Sequence, residues 1–170
     1  MISKVIAAQL YAYGYKLRSV NGFKAATIKS IRPSMIDGDQ IVFGTSYKAV
    51  EVSEIGKTYF ILARPLSDLT KEVTHDGETF VPIVELAKIV FPDYFNWKIK
   101  NDVCQCFTDG IVAPRKHEFY FEKSSFRYWS EEHRGSFREI LNQYRLFDKL
   151  CEWNFAINLP EGSWLSISNA

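Results

Sequence analysis

Asn21-Gly22 separates two runs rich in strand formers, residues 15–20 and 23–31, and this dipeptide constrains the chain more than any other feature. A type I′ turn needs φ > 0 at both central residues, which Asn and Gly reach at least cost, and it returns the chain antiparallel to itself. The signal recurs: Asp37-Gly38 precedes residues 40–44, Gly56 stands between residues 47–53 and 58–64, and Asp76-Gly77 marks a further hairpin. Residues 15–65 therefore read as a four- or five-strand antiparallel meander. Such a sheet must curl or be covered by a helix to hide its apolar face.

Helical spacing appears on either side of these strands. Ile2, Val5, Ile6, Leu10 and Tyr13 share one face, with Gly14 as the natural stop, which predicts a first helix of about three turns. Pro82 suits the first turn of a second helix with Ile83, Leu86, Ala87 and Val90 on one face, and Pro92 ends it; residues 93–100 read as a short helical turn or loop. Residues 117–129 alternate as a strand or hairpin. Ser136 and Glu139 have capping-box spacing at the head of one long helix over 137–153, with a buried stripe of Phe137, Ile140, Leu141, Tyr144, Phe147, Leu150 and Cys151. After a turn at Pro160 and Gly162, residues 164–167 make a final edge strand.

The fold class that follows is α+β: an N-terminal antiparallel β-meander or small barrel with a helix, then a β-hairpin and helix region, then one long C-terminal helix. With 170 residues, 46% of them hydrophobic, the chain can bury a core unaided. One unit over 1–170 is expected. A subdivision, where there is one, falls near residues 65–67 and parts a basic, β-rich 1–66 from a mixed 67–170.

The longest apolar stretch, residues 80–91, is interrupted by Glu85 and Lys88 and falls short of the roughly 20 residues that span a bilayer. The N-terminal apolar run is loaded with tyrosine and lacks a small-residue cleavage pattern, so it reads as part of the fold. Cys104, Cys106 and Cys151 are odd in number and two are one residue apart, which suits free thiols better than a disulfide framework or a zinc knuckle. A soluble, cytoplasmic protein is the expectation.

Charge is uneven along the chain. Residues 1–66 carry nine Lys/Arg against four Asp/Glu, residues 67–112 four against eight, and residues 113–170 eight against eight. Lys16, Arg18, Lys24 and Lys29 belong to the basic block and are interleaved with Tyr11, Tyr13, Tyr15 and Phe23. Cations that neutralise phosphates beside rings that stack on bases make these four lysines and arginines the candidate nucleic-acid-binding residues. A solvated basic face balancing the acidic middle is the simpler account, because the net charge is only +1. A second aromatic-rich region, with Arg115, Lys116, His117, Arg127, Arg134 and Arg138, is largely cancelled by Glu118, Glu122, Glu131, Glu132 and Glu139 and reads as a mixed surface of the kind protein partners use.

No Walker loop, GxGxxG or GxSxG element occurs, and Gly56-Lys57-Thr58 reads as a hairpin turn. His75-Asp76-Gly77-Glu78 reads as a hydrated turn, and Cys104 and Cys106 as neighbours on one face of a strand, so neither metal nor cofactor is expected. Pro33-Ser34-Met35 before Asp37-Gly38-Asp39 resembles the serine–methionine and glycine–aspartate elements of the LexA-like and signal peptidase family. The two elements stand closer together here than in that family, and no general-base lysine is placed for them. Gly38-Asp39-Gln40-Ile41-Val42-Phe43-Gly44, then Gly56 to Arg64 and Asp68-Leu69, is similar to the C-terminal strands of the chaperonin-10 family, over about a fifth of the chain. That resemblance implies a small β-barrel for the meander; the family's N-terminal strand and chaperonin-binding loop have no counterpart.

The functional expectation is a non-catalytic macromolecular binding or assembly protein, with an unidentified protein or nucleic acid as partner and an oligomer compatible with it. Two alternatives stand beside it: nucleic-acid binding by the basic-aromatic N-terminal third, and an enzyme whose site is assembled from dispersed residues such as His75, His117 or His133 with nearby acids.

Overall fold

Helix α1 (Lys4–Ala12) ends where the spacing predicts, with Gly14 at a φ of +66° and the Tyr15 N–H closing on the Leu10 carbonyl at 3.0 Å. Ala7 and Leu10 are its buried residues, and Val5 faces water. The computed structural model describes residues 4–20, 25–32, 40–43, 48–108, 115–122, 124–131 and 137–167. Contacts divide the chain into Met1–Leu66 with Leu150–Ala170, and Ser67–Lys149.

In the first unit, strands β1 (Lys16–Ser19), β2 (Ala26–Arg32), β3 (Gln40–Phe43) and β4 (Lys48–Glu51) form one antiparallel run in chain order. A 3-10 turn, Val52–Glu54, and Gly56 at a φ of +89° then carry the chain back. Strand β5 (Tyr59–Ala63) consequently lies beside β1 and not beside β4, and β13 (Trp164–Ser166) adds to β5 in parallel. The order is β13-β5-β1-β2-β3-β4. Five strands thus form in the expected stretch, but the plain meander is corrected: alternating burial at Tyr59, Ile61 and Ala63 fixes which face of β5 is hidden, while leaving its neighbour open. No pairing among the described residues closes the sheet into a barrel, and β4 and β13 are its edges. The Asn21-Gly22 and Asp37-Gly38 turns lie outside the described residues.

The second unit opens with the hairpin β6 (Val73–His75) and β7 (Glu78–Phe80). Asp76 and Gly77 have φ of +50° and +86°, the pair of left-handed residues a type I′ turn requires. Helix α2 (Pro82–Val90) follows with Pro82 in its first turn and Ile83, Leu86 and Ala87 buried. Residues 93–100 differ from expectation, because Asn96–Lys100 is strand β8, paired with β9 (Val103–Phe107). Its alternation of exposed and half-buried residues is that of a sheet edge. Strands β10 (Lys116–Glu122) and β11 (Ser125–Ser130) form the hairpin read from residues 117–129.

The long helix over 137–153 does not form, and with it the α+β class built on that helix is corrected. Phe137–Glu139 is strand β12, paired with β11, and helix α3 covers only Tyr144–Glu152, nine residues. The molecule is mostly β: among the described residues, three sheets and three helices of nine residues each. The physical reason lies in what the segment meets. In the sheet, Glu139 bonds Arg127 at 3.1 Å across the ladder, where the capping-box reading turned it back to Ser136, a residue outside the described ones. Asn142, at a φ of +58°, breaks the backbone between strand and helix. Gln143 holds the joint, its Oε1 accepting the Phe126 N–H at 2.6 Å and its carbonyl accepting from Leu146 and Phe147. The expected stripe is accordingly cut in two: Phe137, Leu141 and Tyr144 are exposed, at 64%, 91% and 72%, while Leu150 and Cys151 are buried.

Candidate functional site

The basic candidates are only partly brought together. Lys16 and Arg18 alternate outward on β1, with Leu17 and Ser19 buried between and beyond them. Lys16 stands opposite Thr27 and Leu62, and Arg18 opposite Phe60. Lys29 is exposed on β2 at a shift of register between Ile28 and Ser30, and Lys24 lies outside the described residues. The tyrosines interleaved with them do not share one surface. Tyr11 is exposed, but Tyr15 is fully buried and its hydroxyl donates to the Phe155 carbonyl at 2.5 Å. Burial, followed by Cys151 beside it, pushes the Tyr15 hydroxyl pKa far above the ordinary tyrosine value.

The dispersed histidines do not assemble either. His75 sits in the β6–β7 hairpin with Nε2 3.5 Å from Asp76 Oδ2. His117 is buried on β10, stacked on Phe91 at 4.9 Å and flanked by Tyr94 at 4.7 Å. His133 lies outside the described residues. Cys104 and Cys106 turn to one buried face of β9, as alternation requires, and no disulfide joins the three cysteines. Hydrogen bonding with Cys104, and then burial, hold the Cys106 thiol protonated. Among the described residues, no three His, Cys, Asp or Glu side chains group as a metal site.

What the structure does assemble is the outer face of the five-stranded sheet, ordered β12-β11-β10-β9-β8. Its inner face carries the core of this unit. Cys104, Cys106, His117, Phe119 and Phe126 are buried there, α2 packs on β9 and β10, and Phe147 of α3 meets Phe121 and Phe126 at 6.3 and 5.6 Å. The pleat sends the alternate residues outward. One outward row crosses the sheet as Phe137, Trp129, Glu118, Gln105 and Lys98. The row beside it has Glu139, Arg127 and Tyr120 on three strands, and Val103 paired with Lys100 on the other two.

Rings gather on the side of this face formed by β12, β11 and β10. Phe137 meets Tyr120 edge-on with centroids 5.9 Å apart, and the Lys116 ammonium lies 5.8 Å from the centre of the Trp129 ring, within cation–π range. Around the rings the charges are compensated locally. Glu118 Oε1 accepts from Lys116 at 2.6 Å and Gln105 at 2.9 Å, and Arg127 reaches Glu122 at 3.4 Å and Glu139 at 3.1 Å. The Lys116 bond holds the Glu118 carboxyl below the ordinary glutamate value, outweighing the opposing effect of burial, with the Gln105 bond adding a smaller lowering. Partial burial and then the charge of Glu122 raise the Tyr120 hydroxyl. The two edges differ in sign: β8 presents the exposed Lys98 and Lys100, and β12 presents the exposed Glu139.

The sequence reading placed Lys116, Arg127 and Arg138 in a mixed charged surface but did not identify this face. Residues 116–122 carry aromatics at both parities, Phe119 and Phe121 on one and Tyr120 on the other, so alternation alone does not say which set is buried. A signal was nonetheless present, since the set with Tyr120 also carries Lys116, Glu118 and Glu122. The chain has no significant match to a protein-family model, to a curated protein or to a solved structure.

Proposed function

We propose that this chain is a non-catalytic binding protein that docks another polypeptide on the outer face of its five-stranded sheet. One observation carries the reading: Phe137, Tyr120 and Trp129 are held outward on a sheet whose other face already has its core. Tyr, Trp and Arg are the side chains that contribute most to protein interfaces, because rings bury large area at small conformational cost. The charge pattern argues for polypeptide over nucleic acid. Lys116 and Arg127 are both engaged by carboxylates, so among the described residues the middle of the face offers a phosphate no uncompensated cation.

A photo-activatable amino acid in place of Glu139 tests this in the source cells, with the same label in place of Glu72 as a control. The expected result is a covalent adduct with polypeptide at position 139 that is lost on adding Tyr120→Ala and Trp129→Ala. Adducts no stronger than at position 72, or adducts with nucleic acid, would overturn the reading.

A second reading has its own support, since Lys16, Arg18 and Lys29 are all exposed and the first unit carries nine Lys/Arg against six Asp/Glu. On that reading the N-terminal basic residues, Lys24 included, bind nucleic acid. Mobility shift of mixed DNA and RNA then shows binding that weakens steeply with salt and is abolished by replacing Lys16, Arg18, Lys24 and Lys29 with Glu. Absence of any shift at low salt removes it.

A further inference from the structure

We infer that the polypeptide this face takes is a second copy of the same chain, an inference that rests on the docking reading above. The argument is the arrangement of charge across the sheet. Lys98 and Lys100 stand on edge strand β8, Glu139 and Phe137 stand on the opposite edge strand β12, and Trp129 and Tyr120 lie between. Two sheets pack face to face about 10 Å apart with their strands within roughly 30° of parallel. If the two are related by a two-fold axis running along β10 between them, β12 of each copy lies over β8 of the other.

In that arrangement residues of one row meet the same row of the partner copy. Glu139, which accepts from Arg127 of its own chain at 3.1 Å, and Lys100 flank one row, so each Glu139 bridges its own Arg127 and the other copy's Lys100, and both bridges form by symmetry. Tyr120, on the central strand, comes onto its own counterpart, and Phe137 comes over the alkyl stem of Lys98. Glu118 also lies near the axis, where its charge is offset by Lys116 of its own chain at 2.6 Å. A face of five strands and about five residues has a footprint on the order of 400 Å². Side-chain relief raises the accessible area towards the roughly 600 Å² per partner at the lower bound of specific interfaces. The dimer is therefore expected to be reversible, at the small end of specific interfaces.

Sedimentation velocity of the full chain over a concentration series reads this directly, with circular dichroism melting to show that each variant stays folded. Wild type is expected to pass from monomer to dimer. Lys98→Glu with Lys100→Glu, and separately Glu139→Lys, are each expected to weaken the dimer at least about tenfold, because like charges then face across the interface. An equimolar mixture of the two variants is expected to dimerise again, since each mutated edge now meets its opposite. That rescue distinguishes pairing of complementary edges from general stickiness of the rings. A wild type monomeric at several hundred micromolar, an unchanged dimer in both variants, or no rescue on mixing overturns the inference. If the wild type is monomeric while the label at position 139 still captures a different polypeptide, self-pairing fails and the docking reading stands. If it captures nothing or nucleic acid, both fail.

Discussion

The first unit hides its sheet behind aliphatic side chains, and the second behind rings. Leu10, Leu17, Ile28, Ile41, Val50 and Ile61 make most of the first core, with Tyr15 and Tyr59 among them. In the second, Phe119 stacks on Phe126 at 5.4 Å, and Phe91 packs against His117, Phe119 and Tyr128. The units differ in connectivity too, since the second is one continuous stretch and the first needs the chain to return for β13 and Phe155. The difference teaches where pattern can be read. On β1 exposed Lys16 and Arg18 alternate with buried Leu17 and Ser19, so its faces are legible; on β10 both faces carry rings, and it is the charges of Lys116, Glu118 and Glu122 that mark the outer one.

The largest effect is expected from removing a ring from the second core. Phe126→Ala is expected to cost about 3–5 kcal/mol, because the fully buried ring leaves a cavity between Phe119, Phe121 and Phe147. Hydrogen exchange of the β10 and β5 amides reads the two units separately. Loss of protection below about 1 kcal/mol in β10 would refute the aromatic core.

Tyr15→Phe tests the return of the chain within the first unit. It deletes the buried bond to Phe155 and leaves that carbonyl without its hydroxyl donor. Because the Ile157 N–H still donates to that carbonyl at 2.8 Å, a loss of about 0.5–1.5 kcal/mol is expected, read as faster exchange in β1 and β5. An unchanged rate there would show that the return of the chain to Tyr15 adds no stability.

Smaller still is the effect of Lys116→Met, below about 1 kcal/mol because the ion pair is partly exposed. Its clearer signature is in pH. The Glu118 carboxyl is depressed when folded, so its contribution is present above the ordinary glutamate value and is lost as pH falls through the folded one. In Lys116→Met the carboxyl resonance of Glu118 should titrate nearer the ordinary value; an unmoved midpoint would assign the depression to Gln105 instead.

The smallest expected effect is none. Leu141→Asp should leave the melting midpoint within the equivalent of about 0.5 kcal/mol, since the side chain is 91% exposed in the joint between β12 and α3. Severe destabilisation would restore the single helix over 137–153, where Leu141 lies on the buried stripe.

Backbone chemistry, which is local, was readable from the residues themselves. Gly14 ends α1, Asp76 and Gly77 adopt the left-handed conformations of their turn, and Pro82 starts α2, because φ preference and hydrogen-bonding capacity belong to each residue. Alternation likewise announced the β10–β11 hairpin and the edge strand β13. Three things were decided only by the tertiary structure. Strand β5 chose β1 as its neighbour, residues 137–139 became an edge strand, and Phe137, Tyr120 and Trp129 were left outward. Each is a choice between partners far apart in sequence. A residue's own propensity differs by a few tenths of a kcal/mol between such alternatives, whereas the ladder, the Arg127–Glu139 bond and the packing of whole faces act together to select one.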